Sequence, residues 1–497
     1  MGKVTQRSGF GSLASGSMTA AALAVQAGLA AVVGVVLARE FGRSHETDGF
    51  FSAYVVFIVV VLAAGAIRVT VLPAFARARG VGRLGGEVIA YGLVLGSLAV
   101  PLLVIVVVAA SPIAAALTGE RSGLSQSTAA AALPWMMLAA VCQLFAGLAA
   151  SALAALDDYG TSAIGFTAGS AAGLGLILVL VGRQGIEALS WGMALNGAIA
   201  LAVPVVAIAV RARKERVPRS AARPSDATYG ARLAVMGAGV ALPLALQALY
   251  VVTNRLAHGE GAGAQTSLGY AYLIGSAVVG VTASSLGLVT AVPLTRAGLS
   301  AARLARHVAS SAWIALVVIG AVAGVFGVAG GRIAGASLGS SYSSDIGDEL
   351  GRLVVVLSPW AVVSVGVSVT FPLVFVAGRA RQLPWIAVGA LALQVPLAWM
   401  LGRVIGLDGL ALSLAVSTGA VLTALLVVLR ALGVTMQALV PAVASVAAIA
   451  CVAFVPADLV LPSSAAAVVG LVVYALLIVV LCGAPSRAAW RYLRALA

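Results

Sequence analysis

Fourteen runs of about 20 apolar residues, separated by short charged or Gly/Pro/Ser-rich breaks, leave this 497-residue chain little to fold into except a bundle of membrane-spanning helices. They lie near 17–38, 50–72, 88–110, 129–156, 161–182, 188–210, 233–256, 266–294, 304–328, 352–378, 383–402, 407–430, 436–457 and 463–483. Only 9% of residues are charged, where a water-soluble chain carries about one quarter. Lys3 and Arg7 precede the first run in the manner of a signal peptide, but the run from Ser17 to Ala38 is too long for one and reads as a retained span.

The charges that remain fix an orientation. With the N-terminus inside, cytoplasmic loops hold 21 cations and 5 acids, and outer loops hold 8 cations and 11 acids. The net +14 is therefore a topology signal, +16 inside and −3 outside, and not the mark of a nucleic-acid binder. The thirtieth cation, Arg68, falls within the second span. The two lysines, Lys3 and Lys214, lie in no Gly-rich phosphate loop, which excludes a built-in ATP motor. His45, His258 and His307, like Cys142, Cys451 and Cys482, are too scattered for a metal or disulfide framework, so no metal or cofactor is expected.

Features recur at an offset near 220 residues. Gln26 in span 1 matches Gln247 in span 7, Pro73 matches Pro293, and Pro134-Trp135 returns as Pro359-Trp360. Glu187 matches Asp408, and Arg211 matches Arg430. Six spans is an even number, so the copies share one orientation, as parallel repeats around a path along the membrane normal. The fold class expected is an all-α polytopic membrane protein of 14 transmembrane helices, with two six-helix lobes around a central cavity and two further C-terminal helices. The divisions expected are a first lobe over 1–212, a basic linker over 213–232, a second lobe over 233–433, spans 13 and 14 over 434–484, and a basic tail over 485–497.

Local motifs add a resemblance. The stretches 38-AREFGRSHETDGFFSAY-54 and 64-AGAIRVTVLPAFAR-77 carry a helix ending in Phe-Gly, an Asp-x-Phe-Phe-x-Ala start, and Gly-Ala ahead of a closing Pro. With 253-TNRLAHGEGAGAQTSLGYAYL-273, 287-GLVTAVPLTRA-297, 376-VAGRARQLPWIAV-388 and 406-GLDGLALSLAVSTGAV-421, the chain resembles the MurJ/MviN family of lipid-linked peptidoglycan precursor flippases. The wider superfamily holds polysaccharide and multidrug exporters. The resemblance implies rocking of two lobes, a lipid-tail groove at spans 13 and 14, and a bacterial inner-membrane location with both termini cytoplasmic. Where the family places several cavity arginines, this chain has an uncharged span 1, 58-IVVVLAA-64 in span 2 and 270-YAYL-273 in span 8; span 11, which in some members lends an acid to a sodium site, offers Gln394.

A pyrophosphate crossing a water-poor region needs guanidinium or backbone donors. The substrate contacts expected are Arg68, Arg255, Asn254 and the paired amides Gln26 and Gln247. An outer gate is expected between Asp48 and Arg255, the latter matching Arg39 at the end of span 1. An inner gate is expected between Asp157-Asp158 and the second lobe's Arg379 and Arg381, whose charges are opposite at corresponding turns. Each has a plain alternative: Arg68 and Arg255 as interfacial or solvated cations, Asp157-Asp158 as a helix-ending turn, the amides as interhelical glue. The expected activity is flipping of a lipid-linked cell-wall precursor, a polyprenyl-pyrophosphate-linked glycan, by a monomer among membrane lipids. Export of an amphiphilic drug or polysaccharide-lipid stays open, as does a transport-inactive scaffold for cell-wall synthesis proteins. No set of nucleophile, base and metal suggests an enzyme.

Overall fold

The structure is a computed structural model describing residues 10–42, 44–119, 123–214, 227–261, 263–297, 301–339, 342 and 345–496. No strand occurs among them. The first lobe comprises α1 (Phe10–Phe41), α2 (His45–Gly80), α3 (Leu84–Val108), α4 (Ala110–Thr118), α5 (Leu124–Ala155), α6 (Gly160–Gln184) and α7 (Glu187–Lys214). The second comprises α8 (Tyr229–Ala257), α9 (Ala264–Ala297), α10 (Ala301–Leu338), α11 (Asp345–Val376) and α12 (Leu383–Val428). Then follow α13 (Leu432–Val460), α14 (Ser463–Leu481) and α15 (Gly483–Leu496). Most of the expected linker, residues 215–226, lies outside the described residues.

Eleven helices among the described residues are long and apolar enough to cross a membrane. The fourteen expected spans are reached because α1 and α9, of 32 and 34 residues, add two, and α12 holds two in one. At Ile405 and Gly406 the α12 backbone leaves helical geometry, Gly406 taking φ 57°. The chain folds back there: the Gln394 amide donates to the Ser413 hydroxyl at 3.1 Å across the two limbs. α3 and α4 form one span, broken at Ala109.

Helix ends follow local chemistry. Ser44 starts α2 with a capping box to Thr47, Glu46 and Asp48 occupy the first turn, and Arg77 and Arg79 the last, each sign opposing the helix dipole. Lipid-facing surfaces are as apolar as the core. On α3, Leu98, Val100, Leu102, Val104, Ile105, Val107 and Val108 are all exposed, which water would not tolerate and a bilayer does. Phe454 of α13 fits between Gly324 of α10 and Gly470 of α14, and the Tyr474 hydroxyl donates to the Val317 carbonyl at 2.9 Å, fastening spans 13 and 14 to the second lobe.

The repeat is visible in the backbone. Positive φ occurs at Gly119 and Gly339, 220 residues apart, and at Asp157 and Gly378, and Gly185 and Gly406, each pair 221 apart. Side-chain roles are less symmetric: Trp135 is 44% exposed beside Trp191, while Trp360 is buried against Tyr272.

Candidate functional site

α4 and α10 both end in a left-handed glycine, Gly119 (φ 81°) and Gly339 (φ 102°), which leaves last-turn carbonyls pointing off the helix end with partial negative charge. Each end receives an arginine from the other lobe. Arg39 of α1 donates from Nε to the Ser337 carbonyl and from Nη2 to the Ala336 carbonyl, both at 3.0 Å. Arg255 of α8 donates from Nε to the Ala116 carbonyl at 2.8 Å, its guanidinium lying against Gly119. Ala116 and Ala336 are 220 residues apart, so the two clasps are equivalents across the repeat. They close the face expected to be outside.

Asp48 sits between these clasps and meets a helix of opposite end. It is 2% exposed, and its carboxylate accepts from the Gly263 N–H at 2.7 Å, the Thr266 N–H at 3.1 Å and the Thr266 hydroxyl at 2.6 Å. It thus satisfies free N–H groups at the positive start of α9. The hydroxyls of Thr47 and Thr266 are 3.2 Å apart, and Ser52 donates to Gln265, which donates to the Asn254 carbonyl at 2.9 Å. The expected Asp48–Arg255 ion pair is therefore corrected. Both residues join the lobes at this face, but each is engaged by a helix terminus. Asn254, expected as a substrate contact, is buried in this seam, and its Oδ1 has no hydrogen-bond partner among the described residues.

Beneath the seam lies an aromatic layer. Phe51 of α2 presses on Gly269 of α9, where a β-carbon would come within 2.7 Å of the ring, and packs edge-on to Tyr270 at 5.1 Å. The Tyr270 hydroxyl donates to the Gly34 carbonyl of α1 at 3.2 Å. Tyr250 and Tyr272 stack at 3.7 Å, Trp360 adjoins Tyr272 at 4.7 Å, and the Tyr272 hydroxyl donates to Gln247 Oε1 at 3.0 Å. Gln26, half-buried on α1, is not level with Gln247. Counted from the equivalent arginines, Gln26 stands 13 residues before Arg39 and Gln247 8 before Arg255, roughly 20 and 12 Å along their helices. The expected symmetric amide pair is corrected to two amides at different depths. Gln394 is fully buried in the second lobe and donates to the hydroxyls of Thr253 (2.8 Å) and Ser413 (3.1 Å), a neutral cluster.

Arg68 stands near the opposite end of α2. Its side chain is exposed, lies against Gly147 of α5, and has its guanidinium 5.9 Å from the Phe166 ring of α6. Among the described residues it has no carboxylate partner, so its donors are available.

At the expected inner face the acidic turn is taken up within its own lobe. Asp157 pairs with Arg79 at 2.7 Å, both largely exposed, and Asp158 pairs with Arg211. Partial burial raises the Asp158 carboxyl, but the Thr161 hydroxyl and N–H together with Arg211 outweigh it, and the group titrates below the usual carboxylate value. The stability it contributes is present above the usual carboxylate range and is lost as pH falls through that lowered value. Arg379 donates to the Val428 carbonyl at the end of α12, and Arg381 is exposed. The expected Asp157-Asp158 gate with Arg379 and Arg381 is thus not formed. Asp157→Arg is expected to leave transport intact and stability within about 0.5 kcal/mol of wild type in thermal unfolding, because the pair it breaks is solvated.

The cross-lobe contact on this side is one that sequence reading missed. Glu87 of α3 and Arg232 of α8 are 4% and 6% exposed and pair through Oε1–Nη2 at 2.9 Å and Oε2–Nε at 3.3 Å. The guanidinium also lies 5.8 Å from the Tyr91 ring, and the Ser97 and Tyr229 hydroxyls meet at 2.5 Å nearby. Above it, Gly239 of α8 lies against Thr70 of α2, so that a β-carbon there would come within 2.4 Å. The only sequence signal was an acid at an inner span end, against the inside-positive trend.

No protein-family model matches the chain, and no curated protein matches it in sequence. Among solved structures it is similar to the lipid II flippase MurJ in an inward closed conformation, with TM-score 0.71 at 13% identity over 93% of this chain and 98% of that one. An inward-facing multidrug resistance MATE transporter of the MOP superfamily gives TM-score 0.63 at 16% identity, covering 84% and 95%. An outward-facing conformation of such a transporter gives 0.60 at 16% identity, covering 86% and 96%. The chain therefore has the fold that MurJ and the MATE transporters share, in a multi-pass membrane protein.

Proposed function

We propose that this protein is a flippase for a polyprenyl-pyrophosphate-linked glycan, a cell-wall precursor of the lipid II type, moving it from the inner to the outer leaflet of a bacterial cytoplasmic membrane by alternating access. Both termini lie inside, and the monomer suffices. The observation that carries the reading is the pairing of a sealed outer seam with an unpaired guanidinium, Arg68, at the opposite end of the same interlobe space. In the inward state Arg68 receives the diphosphate by charge-assisted hydrogen bonds, worth more than neutral ones where water is scarce. Opening outward requires release of Arg39, Arg255 and Asp48 from three helix termini and parting of the aromatic layer, while Glu87–Arg232 and Thr70–Gly239 hold the lobes together as a pivot. A membrane potential, negative inside, drives an anionic cargo outward by about 2.3 kcal/mol per charge per 100 mV.

Depletion followed by a leaflet-accessibility assay of lipid-linked precursors tests this. Precursor is expected to accumulate inside, and a chain carrying Arg68→Ala is expected to restore flipping about tenfold less well than wild type. A second reading, export of a soluble amphiphile, is favoured by the neutral lining of Tyr54, Tyr272 and Gln247. Unchanged precursor levels with raised drug sensitivity would support it instead.

A further inference from the structure

Away from the interlobe space, on the face of α10 turned toward α14 and α15, lies a cavity of about 410 Å³. Trp313, Val317, Val318 and Ile478 supply apolar walls, and Ser486 and Arg487 stand at one end. None of its lining residues is acidic. The Trp313 indole N–H donates to the Ser486 hydroxyl at 3.1 Å, which sets the level of α15, and Val317 and Val318 lie about one turn further along α10. The cavity is thus graded, apolar at depth and cationic where the chain turns from the last span into α15. On α15, Arg487 and Arg491 share one face, joined by Arg491 Nε donating to the Arg487 carbonyl at 3.3 Å, while Ala489 is buried on the other. A helix with this division lies in the membrane interface, where anionic headgroups are found.

We propose that this cavity is a binding site for an anionic glycerophospholipid of the inner leaflet, one acyl chain lying along Val317, Val318 and Ile478 and the phosphate resting on Arg487. The charge of Arg487, the lack of any opposing carboxylate in the lining and the match of polarity to depth select this occupant. The site is independent of the cargo proposed above, since it lies outside the lobe seam and uses none of its residues. α15 touches α9 as well as α10 and α14, so a lipid here fastens the end of the chain to a gate-bearing helix.

Native mass spectrometry of the full-length protein in detergent, titrated with phosphatidylglycerol or phosphatidylcholine of identical chains, reads the site directly. Wild type is expected to retain phosphatidylglycerol about fivefold better, the effect of one arginine near an anionic surface. Arg487→Gln is expected to bring the two lipids to parity, and Val318→Trp, which fills the cavity, to reduce retention of both. Val479→Trp, on an exposed wall residue, serves if Val318→Trp does not fold. A preference that survives Arg487→Gln, or retention that survives filling, overturns the proposal. So does undecaprenyl phosphate displacing phosphatidylglycerol from wild type but not from the filled variant, which would give the cavity to a carrier tail.

Discussion

Replacing Arg39 and Arg255 together by alanine is expected to make the outer seam open about 30-fold more often. Each guanidinium donates to carbonyls at the negative end of a helix in the other lobe, and each is exposed enough that about 1 kcal/mol is a fair value for its contribution. The two lie at separate helix ends, so their effects add, and about 2 kcal/mol is roughly a 30-fold shift. A cysteine at Ser52, 1% exposed in the seam, reports the opening in a background with Cys142, Cys451 and Cys482 replaced. An impermeant maleimide added from outside should label it slowly in the parent, faster in each single variant, and fastest in the double one. Equal labelling in all four chains would show that the clasps do not hold the gate. The same geometry implies that exchanging Asp48 and Arg255 for Arg and Glu fails to rescue the single changes, because the two side chains engage different helix termini.

Glu87→Ala is expected to be the most destabilising single change in the chain. It leaves the Arg232 guanidinium, 6% exposed, without its carboxylate, and breaking a buried pair from one side costs about 3–5 kcal/mol. Thermal unfolding in detergent measures it. Glu87→Met with Arg232→Leu removes both charges and should recover most of the loss, since replacing a whole buried pair by apolar residues is often neutral. If the double variant is as unstable as Glu87→Ala, packing of α3 on α8 matters and the charge pair does not.

The helices and the repeat were readable because a bilayer imposes length and polarity on each span, and charged breaks mark where it ends. The positive-φ turns at Gly119 and Gly339 repeat what the prolines and glutamines suggested. Partners at the gates were not readable, for a physical reason. Arg39, Arg255 and Asp48 bind backbone groups at helix ends, which every helix has and no sequence distinguishes, so a search among side chains paired Asp48 with Arg255. Asp157 and Asp158 were matched to distant arginines of opposite charge, although Arg79 and Arg211 of their own lobe lie closer. Glu87 and Arg232, 145 residues apart, meet only once α3 lies beside α8, a lateral neighbour that periodicity does not reveal. Gln26 and Gln247 agreed in offset but not in level, because α1 and α8 differ in where they stand relative to their clasps.

Flipping through a gate that must open at the outer seam is most directly tested by locking that seam. The Thr47 and Thr266 hydroxyls, 3.2 Å apart on opposite lobes, place cysteines at these positions within bridging reach. In vesicles loaded with an undecaprenyl-pyrophosphate-linked glycan, the reduced Thr47→Cys/Thr266→Cys protein should expose the glycan on the far leaflet, oxidation should stop it, and reductant should restore it. Glycan transfer that continues with the seam covalently closed, or that never occurs in the reduced protein while wild type is equally inactive, would contradict a flippase working by this gate.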